Sequence, residues 1–198
     1  TMMKTPVGLV TIALSAATLL AGSLLLVTGT RGQNTSFESS AGQLDVQTFA
    51  SGLEHPWALA FLPSGEMLVT IRGSGLRIVT PDGKVSDTLA GSPYIKSSIP
   101  LFGMHEVILD KDFAKNRTIY LAYVSTPAGG SNTGYIAKAK LSADEQSITD
   151  LHVLKQDAAM VPRRIVQAKD GSLFVITADI LTPYVSARSL KSPNGKVL

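Results

Sequence analysis

The 198-residue sequence contains no cysteine. This absence excludes disulfide bonds, thiolate metal sites, a cysteine nucleophile and a lipid anchor attached through cysteine. Aromatic residues make up only 6% of the chain, which argues against a surface that stacks nucleic-acid bases. The net charge is +3, but no run of basic residues occurs, so the composition does not indicate nucleic-acid binding.

Several catalytic signatures are also absent from the sequence. It has no Gly-x-Ser-x-Gly elbow, no His-Glu-x-x-His helix, no phosphate-binding P-loop and no calcium loop of the EF-hand type. Gly73-Ser74-Gly75 supplies only half of a dinucleotide-binding fingerprint, without the third glycine and the helix that should follow. We interpret this segment as a hairpin turn.

Charged residues are missing from one long stretch near the amino terminus. Residues 5–30 form an uncharged run of 26 positions, preceded by Lys4 and followed by Arg31. As a helix this run would extend about 39 Å, which is enough to cross a bilayer. A basic residue ahead of an apolar segment is also typical of a secretory signal. Residues 1–30 are therefore predicted to be either a cleaved signal peptide or one amino-terminal apolar helix that anchors the chain in a membrane.

The rest of the chain has a different pattern. Residues 31–45 are small and polar, which predicts a flexible linker. From residue 46 onwards, short apolar segments alternate with tight turns such as Pro63-Ser64-Gly65-Glu66, and no long window has helical periodicity. The composition therefore predicts an all-β domain over residues 46–198.

A repeat runs through this β region. Met67, Ile119 and Leu173 begin equivalent apolar strands, at spacings of 52 and 54 residues. A unit of about fifty residues with four short strands indicates the blade of a β-propeller. A β-sandwich also contains many short strands, but they would not recur in equivalent groups.

Three sequence segments within residues 46–198 carry a resemblance to a known family. They are HPWALAFLP from His55, VILDKDFAKNRTIY from Val107, and RIV from Arg164 with DGSLFV from Asp170. These strings resemble successive blades of the glucose/sorbosone dehydrogenase family, exported quinoproteins that are also called aldose sugar dehydrogenases. The long string from Val107 is the most specific of the three.

The resemblance implies a six-bladed propeller that holds pyrroloquinoline quinone (PQQ) with calcium beside it, and that oxidises the C1 hydroxyl of an aldose. A histidine acts as general base, and basic side chains bind the carboxylates of the quinone. Carried onto this chain, the cofactor-binding positions are Arg72, Arg164 and Asp179, and no metal ligand is assigned. The chain is then expected in the periplasm, or anchored to the inner membrane and facing the periplasm.

The residues expected to face the cofactor depart from the family pattern. Met160 stands where the histidine of a His-x-Gly-x-Arg pattern belongs, and Pro162 replaces its glycine. A methionine cannot accept a hydroxyl proton, so the expected general base is missing. His105 is the candidate substitute base, and the alternative for it is an ordinary, partly buried structural imidazole.

Two functional interpretations therefore stay open. The first is a PQQ-dependent sugar dehydrogenase that is truncated and lacks the expected histidine. The second is a non-catalytic propeller fragment that binds a sugar or another partner, or that has no activity.

The length of the β region adds a further expectation. Residues 46–198 supply about three blades, whereas typical propellers close with about four to eight. Three blades of a six-bladed plan leave two open faces and exposed strand edges. We therefore predict an open, incomplete arc that is marginally stable, prone to aggregation or dependent on a second chain to complete the propeller.

Overall fold

The computed structural model describes residues 35–97, 99–180 and 186–198 of the chain. The predicted signal peptide or membrane anchor at residues 1–30 lies outside these ranges. Within them, no helix combines the length and the apolar character needed to cross a membrane.

The described residues form an all-β structure with very little helix, as the sequence predicts. Within each sheet, strands that are consecutive in the chain pair with each other, and every strand pairing is antiparallel. The strands are β1 Thr35–Ser39, β2 Gly42–Val46, β3 Pro56–Phe61, β4 Met67–Ile71, β5 Gly75–Val79, β6 Met104–Leu109, β7 Thr118–Ser125, β8 Thr133–Leu141, β9 Ile148–Asp157, β10 Pro162–Gln167 and β11 Leu173–Thr177; the short helices are α1 Phe113–Asn116 and the 3₁₀ turn η1 Ser186–Arg188.

The first two strands form a hairpin in the region that the composition assigned to a linker. β1 and β2 pair in register, with Phe37 opposite Leu44. Every residue of the two strands is exposed. This cross-strand apolar pair and a turn at Gly42, whose φ is +108°, explain the pairing in an otherwise polar segment.

Three further sheets contain the repeat. The first sheet has the order β3-β4-β5, the second β6-β7-β8-β9 and the third β10-β11. Residues 196–198 extend the third sheet, because Val175 and Leu198 exchange two main-chain hydrogen bonds of 2.9 Å. The sheets therefore differ in strand number although their sequences repeat.

The segment from Val85 to Leu89, whose sequence suits a fourth strand of the first repeat, is not a regular strand. Val85 forms only an isolated bridge with Val79. The reason lies one residue further on, where the amide of Ile78 donates to the side-chain hydroxyl of Ser86 at 2.9 Å. Because a side chain takes the place of a main-chain acceptor, the ladder is interrupted.

The second sheet lies between the other two. Successive side chains of β7 point to opposite faces of this sheet. One face packs against the first sheet, and the opposite face packs against the third. The first contact includes Ile119 and Leu121 with Leu68, Leu76 and Ile78; the second includes Ala122 and Ile136 with Ile165 and Val175.

This stacking brings together the first strand of each sheet. β6 contacts β3 on one side and β10 on the other. The amino-terminal residues of these three strands therefore meet at one edge of the stack, where the candidate site lies.

Candidate functional site

The same irregularity occurs at the start of β3, β6 and β10. The register shifts between Pro56 and Leu59 in β3, between Met104 and Glu106 in β6, and between Pro162 and Arg164 in β10. A β-bulge turns a side chain out of the alternation of its strand, and bulges are frequent beside active sites. The residues within these bulges are Trp57 and Ala58 in β3, His105 in β6 and Arg163 in β10.

Trp57 lies against both His105 and Arg163. The ring centroids of Trp57 and His105 lie 5.3 Å apart at an interplanar angle of 46°. The Arg163 guanidinium carbon lies 5.1 Å from the centroid of the Trp57 ring, a cation–π distance. Each sheet thus contributes one side chain to a cluster, which we call the bulge cluster.

His105 lies at the centre of the bulge cluster and has no exposed surface. Its Nδ1 lies 2.7 Å from the carbonyl oxygen of Pro162, and its Nε2 lies 3.0 Å from that of Leu101. The pKa of His105 is lowered to about 4. Burial is the largest cause, and the positive charge of Arg163 is the second. The ring is therefore neutral at pH 7 and carries a single N–H, which it donates to one of these two carbonyl oxygens. Because neither nitrogen reaches solvent, this geometry gives His105 a structural role and does not place it to accept a substrate proton.

Arg72 lies close to the bulge cluster. Its positive charge is one of the influences that lower the pKa of His105. The main chain of Arg72 is held between two strands, since its amide donates to the His55 carbonyl at 3.2 Å and its carbonyl accepts from the Met104 amide at 3.0 Å. The structure therefore places this predicted residue beside His105.

Arg164 follows the bulge of β10 and pairs with a buried carboxylate. Its Nη1 donates to Oε2 of Glu106 at 3.1 Å. The Glu106 side chain is only 8% exposed, whereas that of Arg164 is 56% exposed. Burial raises the pKa of Glu106, and the hydrogen bond and charge of Arg164 offset this only in part.

An open cleft of about 430 Å³ lies beside this ion pair. Its lining combines Arg164 with apolar residues of the first sheet, namely Pro56, Trp57, Ala58, Leu59 and Val69. Arg164 contributes one N–H to Glu106, so its guanidinium retains further N–H groups that can bind an anion. The cleft therefore suits a ligand with an apolar body and a negatively charged group.

Asp179 and Met160 lie elsewhere. Oδ2 of Asp179 accepts the amide of Ala187 at 2.8 Å, and its buried Oδ1 has no hydrogen-bond partner among the described residues. Met160 is 1% exposed and belongs to the apolar cluster between the second and third sheets. The structure thus brings Arg72 and Arg164 to the edge that carries the bulge cluster, and it shows no contact between that cluster and Asp179 or Met160.

The sequence interpretation did not include Arg163 among the cofactor-binding residues. The signal that identifies it is positional, because Trp57, His105 and Arg163 each stand near the start of the first strand of a repeat. Within the described ranges, no three His, Asp or Glu side chains are grouped closely enough to hold a metal ion.

Known proteins share both the sequence pattern and the fold. The family described as Glucose / Sorbosone dehydrogenase matches residues 53–198. The aldose sugar dehydrogenase YliI of Escherichia coli (strain K12) is 34% identical over 112 residues, which are 56% of this chain and 30% of that protein.

Two solved structures are also similar. The soluble aldose sugar dehydrogenase of Escherichia coli, in its apo-form, has a TM-score of 0.66 and 29% identity over 77% of this chain and 45% of that chain. The PQQ-bound form of the aldose sugar dehydrogenase of Streptomyces coelicolor shares the fold, with a TM-score of 0.64 and 23% identity over 77% of this chain and 46% of that chain.

The chain thus spans less than half the length of these relatives. The family match, in contrast, covers most of the chain and every strand of the three stacked sheets. The chain belongs to the glucose/sorbosone dehydrogenase family.

Proposed function

We propose that the three stacked sheets are about three blades of a six-bladed propeller of the quinoprotein type, and that this arc binds an anionic ligand but does not oxidise sugars by itself. The stacking supports the first part, because each antiparallel sheet buries a face on its neighbour and the first strands lie side by side. The arrangement of His105 and Arg164 supports the second part.

The chain fits the cofactor of its family only in part. The exposed guanidinium of Arg164, beside an apolar cleft, fits a carboxylate of PQQ. Arg72 adds positive charge beside His105. When bound, PQQ supplies two-electron oxidation. Arg164 would hold it at the cleft, while Glu106 keeps the guanidinium oriented. For the calcium that the family implies, the described residues offer no group of three or more His, Asp or Glu side chains.

Proton transfer is the part of the reaction that the described residues do not fit. Oxidation of a C1 hydroxyl requires a group that accepts its proton. Met160 has no such group and is buried among apolar side chains, and the imidazole of His105 is enclosed by two carbonyl groups. The observation that carries the proposal is therefore the complete burial of His105. It favours a binding arc without catalysis.

A PQQ-dependent aldose dehydrogenase is the second candidate function. The family assignment and the names of the relatives favour it. In this alternative an aldose is the substrate, PQQ and calcium are the cofactors, and the proton acceptor differs from the histidine of the family.

A reconstitution assay separates the two functions. The purified chain would be supplied with PQQ, calcium and a panel of aldoses, and reduction of a redox dye would be followed beside Escherichia coli aldose sugar dehydrogenase. We expect no turnover by this chain. Aldose-dependent dye reduction above the rate of free PQQ would overturn the non-catalytic proposal.

Binding is measured separately from turnover. PQQ titrated into the chain should change its absorption spectrum on binding, and Arg164→Gln should weaken that binding at least tenfold. Arg188→Gln, which removes an equal charge from η1, serves as the matched control. If PQQ does not bind the unmodified chain, the proposed anion site is wrong.

We also propose that the chain is exported to the periplasm, with residues 1–30 acting as signal peptide or as inner-membrane anchor. The support is the uncharged run of residues 5–30. Cell fractionation followed by amino-terminal sequencing of the purified protein tests this. Recovery in the cytoplasm would contradict it.

A further inference from the structure

A second cleft lies between the loop that joins β5 to β6 and one face of the second sheet. Its volume is about 240 Å³, and it is lined by three tyrosines, Tyr94, Tyr123 and Tyr135, together with two prolines, Leu151 and Ser125. We call it the tyrosine cleft. None of the described residues that line it is charged, and none of them lines the cleft of the candidate site.

Two of the tyrosines are fixed by the second sheet. Tyr123 of β7 and Tyr135 of β8 are direct cross-strand partners, and their rings stack with centroids 4.8 Å apart at an interplanar angle of 14°. Both pack with the apolar cluster between the first and second sheets. The tyrosine cleft therefore has a rigid aromatic lining.

The hydroxyl of Tyr123 is available to a ligand. Tyr123 is only 5% exposed, and within the described ranges its hydroxyl forms no hydrogen bond. This oxygen is nevertheless not among the unpartnered atoms that are closed off from solvent, so it opens into the cleft that its ring lines. Burial, and secondly the neighbouring Tyr135, raise the pKa of Tyr123 to about 12. The hydroxyl thus keeps its proton at neutral pH and can both donate and accept.

Tyr94 contributes an exposed ring on an anchored main chain. The residue is 75% exposed, but its carbonyl accepts a hydrogen bond of 2.9 Å from the Ser125 hydroxyl. The same hydroxyl oxygen accepts the amide of Lys96 at 3.0 Å. Because the main chain is already held, the Tyr94 ring can pack on a ligand at a small cost in loop ordering.

We propose that the tyrosine cleft binds one neutral sugar ring. Such a ring has apolar C–H faces that pack on aromatic side chains, and hydroxyl groups that pair with the hydroxyl of Tyr123. This inference goes beyond the proposed function, because the site shares no residue with the bulge cluster or with the cleft beside Arg164.

Other ligand classes suit the tyrosine cleft less well. A charged ligand would lose hydration without gaining an opposite charge from the lining, and a hydrocarbon would leave the buried hydroxyl of Tyr123 unpaired. A polyproline peptide also docks on aromatic-lined grooves, but it is extended at about 3.1 Å per residue and needs a long groove. A volume of 240 Å³ lies below the range of about 300–1,000 Å³ for drug-sized ligands, which favours a single ring.

Titration calorimetry tests the proposal on the full chain, purified in a detergent without a sugar headgroup. The probes are glucose, xylose and maltotriose, at concentrations up to the millimolar range, and we expect saturable binding of at least one of them. Tyr94→Ala should weaken this binding about fivefold or more through the loss of ring packing. Tyr123→Phe, which keeps the ring, should weaken it about fivefold through the loss of one hydrogen bond.

Two controls separate this site from the rest of the chain. Phe61→Ala removes an aromatic side chain that is 68% exposed on β3 and does not line the tyrosine cleft, so sugar binding should be unchanged. Arg164→Gln should also leave sugar binding unchanged, although it weakens the proposed PQQ site. Near-ultraviolet circular dichroism and urea denaturation of each variant show whether the fold is intact.

The outcomes are distinct from those of the proposed function. Tighter binding of maltotriose than of glucose would identify the end of a glycan as the ligand, and equal affinity would identify a free single ring; both support the site. Saturation by none of the three sugars would overturn the inference, whether or not PQQ binds. It would also be overturned by sugar binding that survives Tyr94→Ala and Tyr123→Phe, by sugar binding that is lost in Arg164→Gln, or by binding of a polyproline peptide in place of the sugars.

Discussion

Nδ1 of His105 lies 2.7 Å from the carbonyl oxygen of Pro162, and this contact joins the second sheet to the first residue of β10. On the opposite side of the ring, Nε2 lies 3.0 Å from the carbonyl oxygen of Leu101. His105 therefore links two sheets and a loop at the position where the sequence suggested a substitute base.

The first prediction concerns the protonation of His105. Because its pKa is lowered to about 4, the charged form is disfavoured in the folded chain, whereas the unfolded chain protonates near pH 6.5. The stability that this group contributes is present above about pH 6.5 and is lost as the pH falls towards 4. Nuclear magnetic resonance of the ring protons should show a His105 that stays neutral at pH 5; titration near pH 6.5 would contradict the prediction.

Substitution of the same residue tests its structural role. His105→Gln should lower the free energy of unfolding at pH 7 by about 2 kcal/mol, because a buried carbonyl loses its donor. The variant should also lose less stability than the unmodified chain between pH 6.5 and 4. Urea denaturation measures both effects. His152→Gln, at an exposed position of β9, is the control and should leave stability unchanged.

The second prediction concerns Glu106 and Arg164. A raised carboxyl pKa means that the ionised Glu106 destabilises the folded chain increasingly as the pH rises above about 4.3. At pH 7, Glu106→Gln should therefore change the free energy of unfolding by less than about 1 kcal/mol. Arg164→Gln leaves the buried carboxylate without its partner and should cost about 1–3 kcal/mol.

A double-mutant cycle checks this explanation. In the Glu106→Gln background there is no buried charge to compensate, so Arg164→Gln should cost much less than it does alone. Equal costs in the two backgrounds would show that the ion pair is not the cause. The exposed pair of Lys84 and Asp82 provides a comparison, and Asp82→Asn should have no measurable effect.

The third prediction concerns Asp110, which connects the second sheet with the third. Burial alone raises the pKa of Asp110, but hydrogen bonds from Gln167, Asn116, the Asp112 amide and Tyr120 together hold it well below its usual range. The carboxylate therefore contributes stability that is present above about pH 4, the unfolded pKa, and is lost at lower pH.

Asp110→Asn should test this contribution directly. The NH2 group of the new side chain would replace one of the two oxygens. It would then face the donors on Oδ2, from Gln167 and Tyr120, or those on Oδ1, from Asn116 and the Asp112 amide, so we expect a loss of about 1–3 kcal/mol at pH 7. The acid sensitivity of the variant below pH 4 should also be smaller. Asp112→Asn, at an exposed neighbouring position, is the control. If both variants melt at the same temperature, the network around Asp110 contributes no more than a surface charge.

The fourth prediction concerns Gly103, which precedes β6. Its φ is +140°, and a Cβ at this position would overlap the main-chain oxygen of Arg72. Gly103→Ala should therefore cost about 2 kcal/mol or more and disturb the start of β6. Gly73→Ala, where a Cβ meets no atom within 4 Å, should be tolerated. Thermal denaturation distinguishes the two variants, and equal melting temperatures would contradict the overlap.

The sequence alone was sufficient to predict the all-β fold class and the positions of most strands. Turns such as Pro63-Ser64-Gly65 and alternating or continuous apolar runs are local signals, because turn dihedral angles and strand propensity depend on neighbouring residues. The equivalence of Met67, Ile119 and Leu173 is also visible in the sequence, from the spacing of these residues. The same local rules failed at Val85 to Leu89, where the hydroxyl of Ser86 replaces a main-chain acceptor.

The arrangement of the site was decided by tertiary structure. Trp57, His105 and Arg163 are widely separated in the chain, and they meet because each lies in a β-bulge at the start of a first strand. Bulges depend on pairing between strands, and burial depends on the packing of sheets, so neither is encoded in a local pattern. The sequence determined the strands and their repeat, whereas the stacking of three sheets enclosed His105, paired Glu106 with Arg164 and brought Arg164 to the cleft beside Trp57.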